Sequence, residues 1–451
     1  VDGTGFATDS FDVIVIGGGF AGIVTAAALA NGKRRVLVLE ARDALANRFS
    51  GELIHPAGVS ILGRLGLLDR LREATAGATV SGYVVVIADD GEARIPYERV
   101  LGFSCNHVKM VEAMRPEVAK RTGVTIRRGV RVKDLVREDG RVVGVRTDEG
   151  ELLRAPLVIA ADGRHSKMRA AAGLGHETEL LSFTAAPLID AEDLPNPGHG
   201  HIFVGAWGPI LAYPTENGRA RMCVDLPPHV DRGSVHERIA EEHATVLPSR
   251  LRAALLKSLD EDDLEMCATH KVTTRACVIP GFALVGDAGG CSHPLTAAGM
   301  TIALHDAETL AAELDAIPAS SWADRYRARM IDAALTRYQE KRYAFVRARE
   351  HLASAMYEVF RGHDAGSRAV ARGLLRAWRE NPELRRNSMA ILACHESSPS
   401  AFLTAYLQVA GRSTRAVLTG QAGERSLGAR TKSLVGLARL SVDKVSRVLA
   451  S

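Results

Sequence analysis

Residues 13 to 16 are uninterrupted β-branched and apolar positions, and the apolar run continues across Gly17-Gly18-Gly19 into the small residues 23 to 29. That pattern predicts a buried strand, a tight turn and a helix in direct succession. Residues 13 to 30 carry no charge and approach transmembrane length, yet the glycine turn explains them better than a span does. A second β-run, 35–39, closes on Glu40. Further on, Ile61, Leu62, Leu65 and Leu68 trace an amphipathic helix, and 83–87 with 93–97 read as a hairpin turning at Asp89-Asp90-Gly91. A helix is expected over 109–121, then strands at 124–127, 131–137 and 142–147, and a buried strand from Leu157 that ends in Asp162-Gly163. Between 172 and 280 the pattern is β-rich, with strands at 201–205, 208–213 and 219–225 and a helical insert near 234–257.

The last third is helical. Leu335, Tyr338, Phe345, Leu352, Met356 and Val359 recur at spacings of three, four and seven, which predicts one long helix, and further helices are expected over 370–378 and 389–410. Beyond Gly423, Leu434, Leu437, Ser441, Val445 and Val448 share a face in a basic tail. This face suits either a membrane-surface helix or a helix that closes the core. The expected fold class is α/β: a Rossmann-like dinucleotide-binding domain (1–80, 98–171 and 281–330), a β-sheet substrate-binding domain (81–97 and 172–280) and a helical C-terminal region (331–451).

Composition narrows the class. A chain of 451 residues with 46% hydrophobic content buries a large core in two or three structural units. Basic and acidic residues nearly balance, 57 against 53, and no basic block is interleaved with aromatics, which argues against nucleic acid. The six cysteines are scattered without C-x-x-C spacing, as in a reducing compartment with no metal centre. His55, His293 and His305 lack the carboxylate or cysteine company that a metal site needs. No basic n-region with a cleavage site is seen, so a cytoplasmic location is expected, with peripheral membrane contact through the C-terminal helices as an option.

Two stretches carry the chemistry. Gly17, Gly19 and Gly22 form G-x-G-x-x-G between the strand and the helix, so a pyrophosphate can rest on free N–H groups at the positive helix end. Glu40, eighteen residues past Gly22, falls where an acid accepts the ribose hydroxyls. The second stretch, Gly286-Asp287 to Leu304, has the make-up of a loop and helix start that hold a flavin ring.

These residues resemble class A flavoprotein monooxygenases of the para-hydroxybenzoate hydroxylase fold, in their squalene epoxidase branch. The resemblance rests on Gly17 to Gly22 with Glu40, on Asp162-Gly163 with Ser166 and Arg169, on Gly51-Glu52-Leu53 with Pro56, on Gly82-Tyr83 with Ile95-Pro96-Tyr97, and on His293-Pro294-Leu295-Thr296 leading to Gly299-Met300-Thr301. It implies bound FAD, held by Gly17, Gly19, Phe20, Ala21, Gly22, Glu40, Ala41, Arg48, Leu53, Lys109, Arg131, Asp162, Asp287, Pro294, Gly299 and Met300, with Tyr83, Trp207 and Tyr213 in the substrate pocket. Asp287 would take the sugar hydroxyls of FAD. The helix from Gly299 would aim its N–H groups at the N1 and O2 edge and favour an anionic reduced flavin.

The implied activity is epoxidation of a C=C bond in a lipophilic terpenoid, polyene or polyketide through a flavin C4a-hydroperoxide. Dioxygen is the co-substrate, and NAD(P)H donates electrons directly or through a flavin- or P450-type reductase. No catalytic acid or base is required, because the cofactor carries the hard step. Aromatic hydroxylation on the same scaffold and a non-catalytic flavin-binding redox sensor stay open. Halogenation is disfavoured, since Trp207, Trp322 and Trp378 form no W-x-W pair. Two positions depart from the family: Lys109 stands where an arginine is usual, and Ala297-Ala298 replaces a double glycine. The sequence shows no N-terminal membrane anchor either, so squalene itself is not assigned.

Overall fold

The computed structural model describes residues 11–30, 32–45, 49–88, 90–261, 264–318, 327–419 and 426–449. Val13–Ile16 and Val36–Leu39 pair in parallel at the centre of a six-stranded sheet. Leu157–Ala160 flanks the first strand, with Phe282–Leu284 beyond it, while Val124–Arg127 lies outside the second. Helix Phe20–Leu29 packs on this sheet, and Gly299–Asp315 packs on that helix. Each central strand is buried at all four positions, which is why it reads as a solid apolar run rather than an alternation.

A second, eight-stranded sheet takes the hairpin Gly82–Ile87 and Gly91–Pro96 from early in the chain and joins it in parallel to Gly200–Val204. Ile210–Pro214, Arg219–Leu226, His176–Ala185 and Met266–Thr274 continue the sheet. The paired strands His176–Ala185 and Met266–Thr274 were not individually predicted. Their outer halves are polar and half exposed, and so give no apolar run.

Two expected helices are each broken in two. The helix through Ile61 stops at Arg64, where Gly66 turns at φ +66°, and Leu68–Thr75 starts afresh. The 389–410 segment is split between Pro382–Leu392 and Pro399–Leu418, because Cys394 adopts φ +63° and Pro399 starts the second helix. The tail forms one helix, Leu427–Leu449, whose Leu437 and Leu440 are buried against Ala365–Glu380 and Pro399–Leu418. The face anticipated for lipid is thus largely taken up by internal packing, and Lys444 is buried in an ion pair with Glu358 at 2.5 Å. Among the described residues no helix is long and apolar enough to cross a membrane.

Candidate functional site

The glycines of the first turn are required by contact. Gly17 sits at φ +102°, and a Cβ there would lie 2.5 Å from the Ala161 carbonyl oxygen. A Cβ on Gly22 would lie 1.8 Å from the Gly17 oxygen. Gly19, by contrast, faces open space with nothing within 4 Å. It precedes helix Phe20–Leu29, which has no side-chain cap, so the first-turn N–H groups open onto that space. A phosphate fits this cradle of bare backbone and positive helix end. Glu40 braces the turn: Oε2 accepts from the Gly18 N–H at 2.7 Å and Oε1 from the Arg42 N–H at 2.9 Å. Each oxygen keeps further acceptor capacity for a ribose hydroxyl. Ala41 forms the bend after it.

The second stretch is brought against the first by one glycine. A Cβ on Gly286 would come within 2.9 Å of the Ala21 methyl, so the 286–289 turn rests directly on the first helix. A buried ion pair holds that turn from behind. Asp306 Oδ2 accepts from the Gly286 N–H at 2.8 Å and from Arg342 Nε at 3.0 Å, while Arg342 also donates to the Gly286 oxygen at 3.2 Å. Asp287 is exposed to the cleft that it lines; the protein packed around it raises its carboxyl pKa, and Arg164 and Arg342 oppose that rise. Asp162 accepts from the Met168 N–H at 3.2 Å and leaves Oδ1 buried without a partner.

Two histidines shape the Pro294–Thr296 turn. His293 Nδ1 accepts from the Leu295 N–H at 3.1 Å, so its proton resides on Nε2, which faces Asp225 Oδ1 at 3.2 Å and Ser182 Oγ at 3.3 Å. Its ring stacks on Tyr357 with centroids 3.8 Å apart. His55 Nε2 donates to the Thr296 oxygen at 2.6 Å, which leaves Nδ1 to accept from the Tyr97 hydroxyl at 2.7 Å. Burial lowers the His55 pKa to about 4 and keeps the ring neutral. Ala297 then takes the left-handed conformation, φ +49°, at the position where the family has glycine. Helix Gly299–Asp315 follows with no side-chain cap, and its free first-turn donors open at a cleft bordered by Ala298, Gly299 and Met300.

The cleft, about 190 Å³, is lined on this side also by Asp287 and Pro294, and on the opposite side by Leu53, Leu211, Tyr213, Cys223 and Cys267. Its far wall is mostly carbon and sulfur. Polar groups interrupt it, among them Thr184, Asp225, Thr269, His270 and Glu52; Glu52 is held by Arg221 through two contacts of 3.0 Å, and the Tyr213 hydroxyl reaches Glu52 at 3.4 Å. Burial raises the Glu52 pKa against the pull of Arg221. Cys291 borders the cleft with a thiol that burial pushes up to about 12, so it stays protonated.

The remaining expected residues are placed as follows. Tyr83 is buried behind the lining, edge-on to Tyr97 at 6.3 Å. Trp207 lies outside the lining because Arg361 covers its ring at 4.6 Å and His363 abuts it. Lys109 is engaged with Glu216 at 2.8 Å. Arg131 is half exposed, 3.8 Å from Asp148, at the start of a small outer sheet. Arg48 lies outside the described residues. Phe20 is buried at the start of the first helix. The sequence reading missed Arg115, which is buried and donates to the Gly18 oxygen at 3.1 Å, as well as Asp306 and Arg342. In each case the signal was a charge set among apolar helix positions. Among the described residues no group of His, Cys, Asp and Glu could hold a metal ion.

Comparison with known proteins accords with this geometry. A family model described as squalene epoxidase matches residues 154–425, and one described as glucose inhibited division protein A matches 12–180. Squalene epoxidase erg1 of Aspergillus fumigatus is 31% identical over 81% of this chain and 78% of its own length. Squalene epoxidase 3 of Arabidopsis thaliana is 31% identical over 65% of this chain, and the match spans 58% of that relative. Among solved structures, p-nitrophenol 4-monooxygenase PnpA of Pseudomonas putida superposes with a TM-score of 0.72 at 20% identity, over 85% of this chain and 98% of its own.

Proposed function

The chain belongs to the squalene epoxidase family, and from that premise we propose that it is a FAD-dependent monooxygenase acting on a lipophilic small molecule. The observation that carries this reading is the Gly286–Ala21 contact, which sets the phosphate cradle directly against the 286–300 turn that borders the mostly apolar cleft. Bound FAD supplies the activation of dioxygen. The residues hold and exclude. The first-turn donors of Phe20–Leu29 and the Glu40 carboxylate would take the pyrophosphate and ribose, Asp287 would take sugar hydroxyls, and the free donors that open the Gly299–Asp315 helix would serve the flavin ring. Leu53, Leu211 and the neutral thiols of Cys223 and Cys291 keep water from the reacting face.

Within that class we favour epoxidation of a C=C bond, because most of the surface that lines the cleft is apolar and suits a hydrocarbon chain. Electrons come from NAD(P)H, directly or through a reductase. Hydroxylation of an aromatic ring is the second reading, and the Glu52–Arg221–Tyr213 group favours it as a polar anchor for a phenol. Reaction of the reduced holoenzyme with ¹⁸O₂ and a panel of terpenoid alkenes and phenols separates the two. One labelled oxygen in an epoxide is the expected product. Labelled diphenols alone would replace epoxidation with hydroxylation, and peroxide without product across the panel would favour a flavin-binding sensor.

A further inference from the structure

Several arginines are buried near this site: Arg115 pairs with Glu112, Arg169 binds main-chain oxygens in the field of Asp162, and two others are held by buried carboxylates. Arg342 is bound to Asp306 and Arg221 to Glu52. Arg349, two turns along the same helix from Arg342, is 1% exposed, and no described carboxylate pairs with it. Its Nη2 donates to the Glu396 main-chain oxygen at 2.6 Å, while Nε and Nη1 are buried without a hydrogen-bond partner. A guanidinium left unpaired in a dry interior is costly, so its retention calls for a counter-charge.

The surroundings show where that charge would be. Arg349 lies over the Phe345 ring at 4.3 Å, and Phe345 stacks on His305 at 3.6 Å. Phe345 packs in one cluster with Ala298, Ile302 and Cys394, and Ala298 and Ile302 border the cleft. The guanidinium thus sits one layer behind the wall that the Gly299–Asp315 helix end presents. Among the described titratable neighbours one, Glu396, is an anion whose pKa the Ser398 N–H lowers and the Arg349 charge helps to lower. His55 and His305 are each lowered to about 4, first by burial and then by the Arg349 charge, and burial pushes the Cys394 thiol up. All three are neutral at pH 7, and the part-buried Glu396 carboxylate accepts from the Ser398 N–H, while the guanidinium is hydrogen-bonded to the Glu396 main-chain oxygen instead.

We propose that Arg349 is the built-in counter-charge for reduced flavin, a positioning residue that acts through its field rather than by contact. The inference rests on the FAD reading above. A hydride carries two electrons and one proton from the nicotinamide to the flavin; the donor leaves as the oxidised nicotinamide cation, and one net negative charge stays on the flavin. A fixed cation with no carboxylate hydrogen-bonded to it keeps field to spare, stabilises that charge and raises the reduction potential.

The test uses FAD-loaded protein and compares wild type with Arg349→Gln and Arg349→Lys. The two-electron midpoint potential and the affinity of the oxidised flavin for sulfite, whose adduct is also anionic, are measured without turnover. Loss of the charge in the Gln variant is expected to weaken the preference for reduced over oxidised flavin about tenfold, a fall of about 30 mV. The sulfite Kd should rise by a similar factor, and Lys should restore most of both. A Gln variant that holds flavin at the wild-type potential would overturn the proposal, as would a Lys variant that falls as far as Gln, since a purely structural tie to Glu396 would not distinguish charge from shape. Should the Gln variant fail to fold, Arg349→Met, which removes the charge and keeps an apolar chain of similar length, is measured in the same way: a fall in potential and in sulfite affinity supports the inference, and wild-type values sink it. A wild-type chain that takes up no FAD would remove the functional reading as well, whereas a yellow protein with unshifted potentials removes this inference alone.

Discussion

Arg342→Met is expected to destabilise the protein by about 3–5 kcal/mol, because it strands the Asp306 carboxylate in the interior. Asp306 is fully buried, and its Oδ2 accepts from both Arg342 and the Gly286 N–H. Burial already raises its pKa against the pull of Arg342, and without that cation the carboxyl stays protonated further up the pH scale. A folded-state pKa above the unfolded one means that the native state binds the extra proton, so the stability of the variant falls as pH rises above the ordinary carboxylate range. Urea unfolding at pH 5 and pH 8 should therefore give the larger deficit at pH 8. Adding Asp306→Asn removes the stranded charge while keeping an acceptor for Gly286, and should recover a good part of the loss. A single-variant deficit below about 1 kcal/mol, the scale of exposed pairs, would contradict the role given to this pair.

Gly22→Ala and Gly19→Ala form the second prediction, and their contrast matters more than either value. At Gly22 the new methyl would stand 1.8 Å from the Gly17 oxygen, so the strand-to-helix turn must open. A loss of about 3 kcal/mol or more, with little flavin retained, is expected. At Gly19 nothing lies within 4 Å, so the fold should keep its stability to within about 1 kcal/mol. The methyl would instead occupy the space through which a pyrophosphate approaches, and FAD affinity should drop about tenfold or more, worth about 1.4 kcal/mol. Thermal melts of the apo forms and flavin fluorescence titrations measure the two effects separately. Equal FAD affinity for Gly19→Ala and wild type would place the phosphate elsewhere.

Much of the framework was legible because its signals are local. A buried parallel strand must be apolar on both faces, and a tight turn followed by an uncapped helix must be glycine, so residues 13 to 22 announce themselves. The hairpin at 82–96 and the long 327–361 helix were legible from their periods of two and of 3.6. The parts that stayed hidden depend on distant pairs. Nothing near Asp306 in sequence indicates that Arg342, 36 residues on, will meet it behind the Gly286 turn. Tyr83 and Trp207 carry the composition of pocket residues, but which face of a strand or loop meets the cleft is settled by packing against Tyr97 in one case and Arg361 in the other. The apolar face of the tail helix was visible as a face; its partners, two other helices, were not.

The central claim is that the cleft between the Gly17–Gly22 turn and the Gly286–Met300 stretch holds one FAD. The absorbance spectrum of the purified protein, with the released cofactor identified after denaturation, tests it most directly. The account predicts a yellow protein with flavin bands and close to one FAD per chain, either as isolated or after incubation with excess FAD. A folded protein that remains colourless and takes up no FAD would contradict it.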